Sequence, residues 1–235
     1  MHIFINALSK CLLIVLAMSF SFLCYSAEIR GKNYQFLYFT YLLTEYQSNY
    51  ETLSQYAVNQ GYIYPNEKEL TVLHEMMHID QAKHQGYKII NKGYTSFYLS
   101  DDVWQYISFE YVLSKIEKSQ DNIYQLYMLK NPQLNLGNMI DELNVYNCML
   151  SFFEKNADND RVLEKQYMNI AHFLKYTNMY LGVMRQYQPY AYATLKQRDG
   201  VVPFLKELYF ELYQKMDKTV FNKVYDKKEV LIFLR

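Results

Sequence analysis

Residues 69–84 read ELTVLHEMMHIDQAKH, and this stretch organises the interpretation of the whole chain. Three of the five histidines in the sequence lie within it, at positions 74, 78 and 84. Neither glycine nor proline interrupts it, and the turn Tyr64-Pro65-Asn66 precedes it, so a helix is predicted over about 67–84. Asn66 and Glu69 have the spacing of a capping box at the start of that helix.

Within this predicted helix, His74, Glu75 and His78 form an H-E-x-x-H pattern. Residues four apart lie on the same face of a helix, so both histidines can present a ring nitrogen to one metal ion. Glu75 stands beside them, where a carboxylate can act as general base on a water molecule. The other interpretation is a surface or core helix that carries two histidines by coincidence.

The motif resembles that of zinc metallopeptidases of the zincin group. Gln81 extends the resemblance to H-E-x-x-H-x-x-Q, which is similar to a pattern found in small bacterial zincins. The resemblance covers this helix and a second, downstream segment. It implies a Zn2+ cofactor held by His74 and His78, and hydrolysis of peptide bonds with Glu75 as the catalytic base.

A catalytic zinc ion normally takes three protein ligands, and His84 is one candidate for the third. The number of residues between His78 and His84 equals the spacing between the last two histidines of the metzincin motif. That class has glycine three residues after the second histidine, where this chain has Gln81. On a continuous helix His84 would lie about 240° around the axis from His78 and point away from the metal.

Glu142 is the preferred candidate for the third ligand. It shares a predicted helix stripe with Met139, Tyr146 and Met149, an otherwise apolar face on which a lone carboxylate is costly unless it is paired or binds a metal. The resemblance implies a glutamate ligand from a later helix, as in gluzincins, and residues 141–146 are similar to the downstream segment of H-E-x-x-H-x-x-Q proteins. Tyr146 stands where the usual E-x-x-x-D pattern has aspartate. An ordinary surface role for Glu142, or another acid such as Glu110, remains an alternative.

Two further roles in the site each have more than one candidate residue. Asp141 or Asn144, and less favourably Asp80, could accept the second N–H of a histidine ligand and orient it. The resemblance implies a downstream histidine or tyrosine that stabilises the oxyanion; His172 is our candidate catalytic residue for this role, and Tyr176 is the alternative. Asp141, Asn144 and Asp80 would be equally ordinary as solvated polar residues, and core or surface packing is the favoured interpretation of His172 and Tyr176.

Length and composition predict one mainly α domain. The chain has 235 residues, only 7 glycines and 4 prolines, and long segments with helical periodicity, such as a helix over about 35–58. We expect a single helical zincin-like domain over 28–235. Residues 87–99 could form a strand or an irregular connection, and the zincin resemblance implies that a small edge β-element here would lie near the active-site cleft. The formal net charge of zero gives no basic face, so no nucleic-acid partner is expected.

Residues 1–27 resemble a signal peptide. Lys10 precedes the apolar run CLLIVLAMSFSFLC, and Tyr25-Ser26-Ala27 offers a small-residue cleavage site. The prediction is an exported protein, periplasmic or secreted, without a stable membrane span after signal removal; an uncleaved anchor is the alternative.

Together these features predict an exported zinc-dependent metallopeptidase that acts on a peptide or protein substrate. The alternative is an exported helical binding or scaffold protein with a structural or vestigial metal site. An open coordination position favours the enzyme, whereas four protein ligands favour the structural site.

Overall fold

The computed structural model describes residues 33–62, 64–89, 93–99, 107–156, 160–216 and 228–235. The predicted signal peptide, residues 1–27, lies outside this range. The described part is mainly helical, which confirms the predicted fold class. None of its helices is long and apolar enough to cross a membrane.

Most of the described residues belong to helices. In chain order they are α1 (Asn33–Glu45), α2 (Tyr50–Asn59), α3 (Pro65–His84), α4 (Phe109–Leu113), a π-helix (Ile123–Met128), α5 (Leu136–Asn156), α6 (Asp160–Tyr187), α7 (Pro189–Gln197), α8 (Val201–Lys215) and α9 (Lys228–Leu234). A 3₁₀ turn, Gln47–Asn49, separates α1 from α2. The strands β1 (Lys88–Ile89) and β2 (Gly93–Tyr94) pair antiparallel in a small hairpin after α3.

The helix that carries the motif begins earlier than its sequence predicted. Pro65 occupies the first position of α3, where its fixed φ suits a helix and its missing N–H is not needed. The cap therefore falls on Tyr64, which makes no side-chain cap hydrogen bond, and Asn66 lies inside the first turn. The predicted capping box was wrong for this reason. At the other end, Gln85 takes a left-handed conformation and ends the helix after His84.

Helix α3 lies at the centre of the packing around the site. It contacts α1, α2 and α5, and α5 in turn packs against α6 and α8. Val72, Met76 and Met77 on α3, and Met139 and Leu143 on α5, are fully buried. Burying a side chain of this size stabilises the fold by about 1.5–3 kcal/mol. The contact between α3 and α5 brings the histidine face of one helix to the acidic face of the other.

The predicted single helix over about 35–58 is divided at Tyr46. Helix α1 ends at Glu45, and the 3₁₀ turn redirects the chain into α2. The Tyr46 hydroxyl donates a hydrogen bond of 2.9 Å to Asp80 on α3. A tertiary contact thus coincides with a break that no glycine or proline marks in the sequence.

Residues 87–99, for which the sequence allowed a strand or an irregular connection, contain the hairpin. Lys88 pairs with Tyr94, and Ile89 with Gly93. Gly86 leads into it where the backbone passes so close to the Thr95 carbonyl oxygen that a Cβ atom would collide with it.

Candidate metal centre

Three side chains from two helices meet between α3 and α5. His74 and His78 lie one turn apart on α3, with their Nε2 atoms 3.0 Å apart. The Glu142 carboxylate on α5 places Oε2 3.2 Å from His74 Nε2 and 3.7 Å from His78 Nε2. These residues form a group that could hold a metal ion.

The separations within the group fit a single small cation. Metal–ligand distances of about 2.0–2.2 Å in a tetrahedral site place neighbouring ligand atoms about 3.4 Å apart. The three separations in the structure, 3.0, 3.2 and 3.7 Å, lie around that value. Two imidazole nitrogens and one carboxylate oxygen are also a donor set that suits zinc.

A carboxylate behind the group orients one of the histidines. His78 Nδ1 donates a hydrogen bond of 2.6 Å to Asp141 Oδ2, and this bond turns the Nε2 edge of the ring towards the group. Burial lowers the pKa of His78, but the negative charges of Asp141 and Glu142 outweigh burial and raise it well above the ordinary value. The field that attracts a proton to this ring also favours a bound metal cation.

Glu142 is kept ionised by its neighbours. Burial alone raises the pKa of its carboxyl, but the charge on His78 and the hydrogen bond to His74 lower it far below the ordinary value. Its side chain is only 15% exposed. An ionised carboxylate at this depth requires a partner, as the apolar stripe in the sequence indicated.

Asn144 and Asp80, the other candidates for orienting a histidine, have different partners. Asn144 bonds to Gln81 and to the hairpin. Asp80 is fully buried on another side of α3, where its carboxylate accepts hydrogen bonds from four tyrosine hydroxyls, those of Tyr38, Tyr41, Tyr46 and Tyr94. Asp80 also lies near His84, with Oδ1 3.4 Å from Nδ1, but of the three candidates Asp141 is the one that bonds to a histidine of the metal-ligand group.

His84 and Glu110 lie outside the group. His84 is in the last turn of α3, where Nδ1 lies 2.9 Å from the Asp80 carbonyl oxygen and the ring stacks on Tyr94 at 4.0 Å between centroids. Glu110 is an exposed residue in the first turn of α4.

A cleft of about 680 Å³ opens onto the metal-binding group. His74, Glu75 and Glu142 line it, so the motif carboxylate faces the same space as two of the three candidate ligands. Much of the remaining wall is apolar or aromatic, including Leu70, Leu126, Leu134, Tyr56, Tyr127 and Phe173. Carboxamides line it as well, namely Gln60, Asn122, Asn131, Gln166 and Asn169.

Tyr127 and Tyr146 approach the group from the cleft, and the sequence predicts a site role for neither. The Tyr127 hydroxyl contacts Glu142, and burial followed by the charge of Glu142 raises its pKa well above the ordinary value. The Tyr146 ring packs edge-on against His74 with 5.0 Å between centroids. Tyr127 belongs to the π-helix, and its sequence neighbourhood gives no sign of proximity to residue 142.

His172 lines a neighbouring pocket of about 450 Å³ that shares Asn122, Lys165 and Asn169 with the cleft. Its Nδ1 lies 3.6 Å from Asp121 Oδ2. The alternative candidate, Tyr176, donates its hydroxyl to the same Asp121 carboxylate. Burial raises the pKa of Asp121, but hydrogen bonds from Ser119 and Tyr176 outweigh it and lower that pKa to about 2.

The hairpin packs against the helices of the site without bordering the cleft. It is bonded to Gln81 and Asn144, and no hairpin residue that the structure describes belongs to the cleft lining.

Comparison with known proteins gives no further assignment: no protein-family profile, curated protein or solved structure matches this chain.

Proposed function

We propose that this protein is an exported zinc-dependent metallopeptidase. The observation that carries the proposal is the convergence of His74, His78 and Glu142 on one point beside a cleft that Glu75 also lines. Three ligands leave a coordination position for water, which is the arrangement of catalytic zinc sites.

The chemistry divides between the metal and the chain. His74, His78 and Glu142 would hold the zinc ion, which when bound would lower the pKa of a water molecule towards neutrality and polarise a carbonyl oxygen. Glu75 removes a proton from the attacking water as its oxygen bonds to the carbonyl carbon. The same carboxyl then delivers the proton to the nitrogen of the leaving amine as the C–N bond breaks.

The lining of the cleft favours, as substrate, a peptide with a bulky apolar side chain. Leu126 is 55% exposed and Tyr56 is 43% exposed, although both line a concave surface. Exposed apolar side chains inside a cleft are typical of ligand-binding surfaces. The carboxamides of Asn122, Asn131 and Asn169 can donate to and accept from a peptide backbone.

Two residues are candidates to stabilise the oxyanion that develops on the substrate carbonyl. Tyr127 is supported by its contact with Glu142 at the cleft wall. His172 is supported by the resemblance and by the pocket it lines next to the cleft. We favour Tyr127, because its hydroxyl lies beside a metal-ligand candidate.

The decisive variant is Glu75→Gln, which removes the base and keeps the size of the side chain. We expect zinc content close to that of the unaltered protein and a loss of peptide hydrolysis of at least about 100-fold. The measurement pairs metal analysis with a fluorogenic peptide library. Full activity in Glu75→Gln would refute the mechanism.

The alternative function is an exported binding or scaffold protein with a structural or vestigial metal site. Zinc retained by both the unaltered protein and Glu75→Gln, with no hydrolysis of any peptide in the library by either, would favour it.

A further inference from the structure

Gln81, the last residue of the H-E-x-x-H-x-x-Q pattern, is fully buried between α3, α5 and the hairpin. Its Nε2 donates a hydrogen bond of 3.0 Å to Asp141 Oδ1. Its Oε1 accepts hydrogen bonds from Asn144 Nδ2 at 2.5 Å and from the Lys88 backbone N–H at 2.9 Å. One side chain thus connects three groups on two other elements.

The chemistry of these partners admits one orientation of the amide. The Asp141 carboxylate can only accept, so it requires the Gln81 NH2 group. The Lys88 N–H and the Asn144 amide donate, so they require the Gln81 carbonyl oxygen. An ionised glutamate could not donate to Asp141, and an apolar residue would leave all three partners without this bond. The position calls for a side chain with a donor and an acceptor at the same end.

The network continues from Gln81 to the metal-binding group. Asp141 is held on Oδ1 by Gln81 and on Oδ2 by the Tyr98 hydroxyl at 3.1 Å, and Oδ2 also accepts the 2.6 Å bond from His78 Nδ1. The carboxylate cannot rotate without breaking one of these bonds. Its orientation fixes the ring of His78 and turns Nε2 towards His74 and Glu142.

We infer that Gln81 is a positioning residue of the metal centre, which orients Asp141 and, through it, the metal-facing nitrogen of His78. This inference rests on the proposed metal site. Gln81 also has a second role, which is to hold strand β1 against this network. The Lys88 backbone N–H donates to Gln81, and the Lys88 carbonyl oxygen accepts a hydrogen bond of 3.0 Å from Asn144 Nδ2. The hairpin and the metal ligand are held by one amide.

The test is the zinc affinity of Gln81→Met, measured by competition with a chromophoric chelator. Methionine preserves the volume and removes the hydrogen bonds. We expect affinity to fall about 10- to 100-fold, the usual effect of removing a group that orients a metal ligand. Gln81→Asn is the second variant: its amide is one methylene too short to bond Asp141 and Lys88 together, and we expect a loss in the same direction.

Tyr38→Phe provides the matched control. It removes a buried 2.6 Å hydrogen bond from Asp80 on the same helix, away from the metal ligands. We expect it to lower the thermal stability of the zinc-free protein without changing zinc affinity more than about 3-fold. Equal loss of affinity in the control would reduce Gln81 to a general stabiliser of α3 and overturn the inference.

A double-mutant cycle tests whether Gln81 acts through Asp141. If it does, Gln81→Met combined with Asp141→Asn binds zinc no more weakly than Asp141→Asn alone. Independent, additive losses would overturn the inference. Because the readout is zinc binding, the two proposals can fail separately. An unaltered protein that binds zinc but hydrolyses no peptide would refute the peptidase proposal and leave the role of Gln81 intact. Unchanged zinc affinity in Gln81→Met would refute the role of Gln81 and leave the peptidase proposal intact.

Discussion

Replacing Asp141 by asparagine should perturb the proposed metal centre without changing any of its three candidate ligands. The carboxylate accepts three hydrogen bonds, from His78 and Tyr98 on one oxygen and from Gln81 on the other. Asparagine offers one oxygen and one NH2 group in the same space. It cannot accept on both sides, so at least one bond must be lost in either orientation.

Each orientation carries a definite cost. If the asparagine oxygen faces His78, its NH2 group opposes the NH2 group of Gln81, and a buried donor loses its partner. If the NH2 group faces His78, that ring must accept at Nδ1 and carry its proton on Nε2, the nitrogen that would bind the metal. An unsatisfied buried group costs about 1–3 kcal/mol. At about 1.4 kcal/mol per tenfold change, zinc affinity should fall by about 5- to 150-fold.

The assay is competition for zinc between the protein and a chromophoric chelator, with folding checked by circular dichroism. Asp121→Asn is the control, because Asp121 is also a hydrogen-bonded aspartate, with Ser119 and Lys175 among its partners rather than the metal-binding group. A folded Asp141→Asn protein that binds zinc within about 2-fold of the unaltered protein would refute this reasoning.

Three further results are expected. Leu126→Ala should lower kcat/KM for peptides with a bulky apolar side chain by roughly 3- to 10-fold. The control is Leu37→Ala on α1, which should not lower it, because Leu37 is equally exposed at 55% but lies outside the described cleft lining. Equal effects of the two substitutions in a peptide-library assay would contradict the proposed subsite. Tyr127→Phe should lower kcat by about 100-fold or more while zinc is retained, and the same loss in His172→Ala instead would transfer the oxyanion role to that residue. Because hydrogen bonds lower the pKa of Asp121 to about 2, its ionised form contributes stability that is present above its ordinary pKa and is lost as pH falls from about 4 to about 2. After allowing for screening, we expect a difference of roughly 1–2 kcal/mol in the free energy of urea unfolding between the unaltered protein and Asp121→Asn, and we expect this difference to disappear over that pH range. A difference that does not depend on pH would contradict the prediction.

The parts of the site that follow from local geometry could be predicted from the sequence. The i, i+4 spacing of His74 and His78 places both on one helix face whatever the rest of the chain does. Glu142 could be proposed because a lone carboxylate on an apolar stripe requires a partner, and the structure brings it to the two histidines. The predominance of helix followed from the scarcity of glycine and proline.

The remaining features depend on how the elements pack, which one sequence does not reveal. No choice between Asp141 and Asn144, with Asp80 as the weaker option, was possible until the face of α3 that meets α5 was known. The break at Tyr46 and the contact of Tyr127 with Glu142 join residues 34 and 15 positions apart, and no local pattern encodes them.

The most direct test of the account is the metal content of the purified protein, prepared without chelator and analysed for zinc and iron. We predict about one zinc ion per chain, as expected for a single three-ligand site. That zinc should be lost in Glu142→Ala and retained in His84→Ala. Zinc absent from the unaltered protein even after reconstitution, or retained undiminished in Glu142→Ala, would contradict the proposed centre.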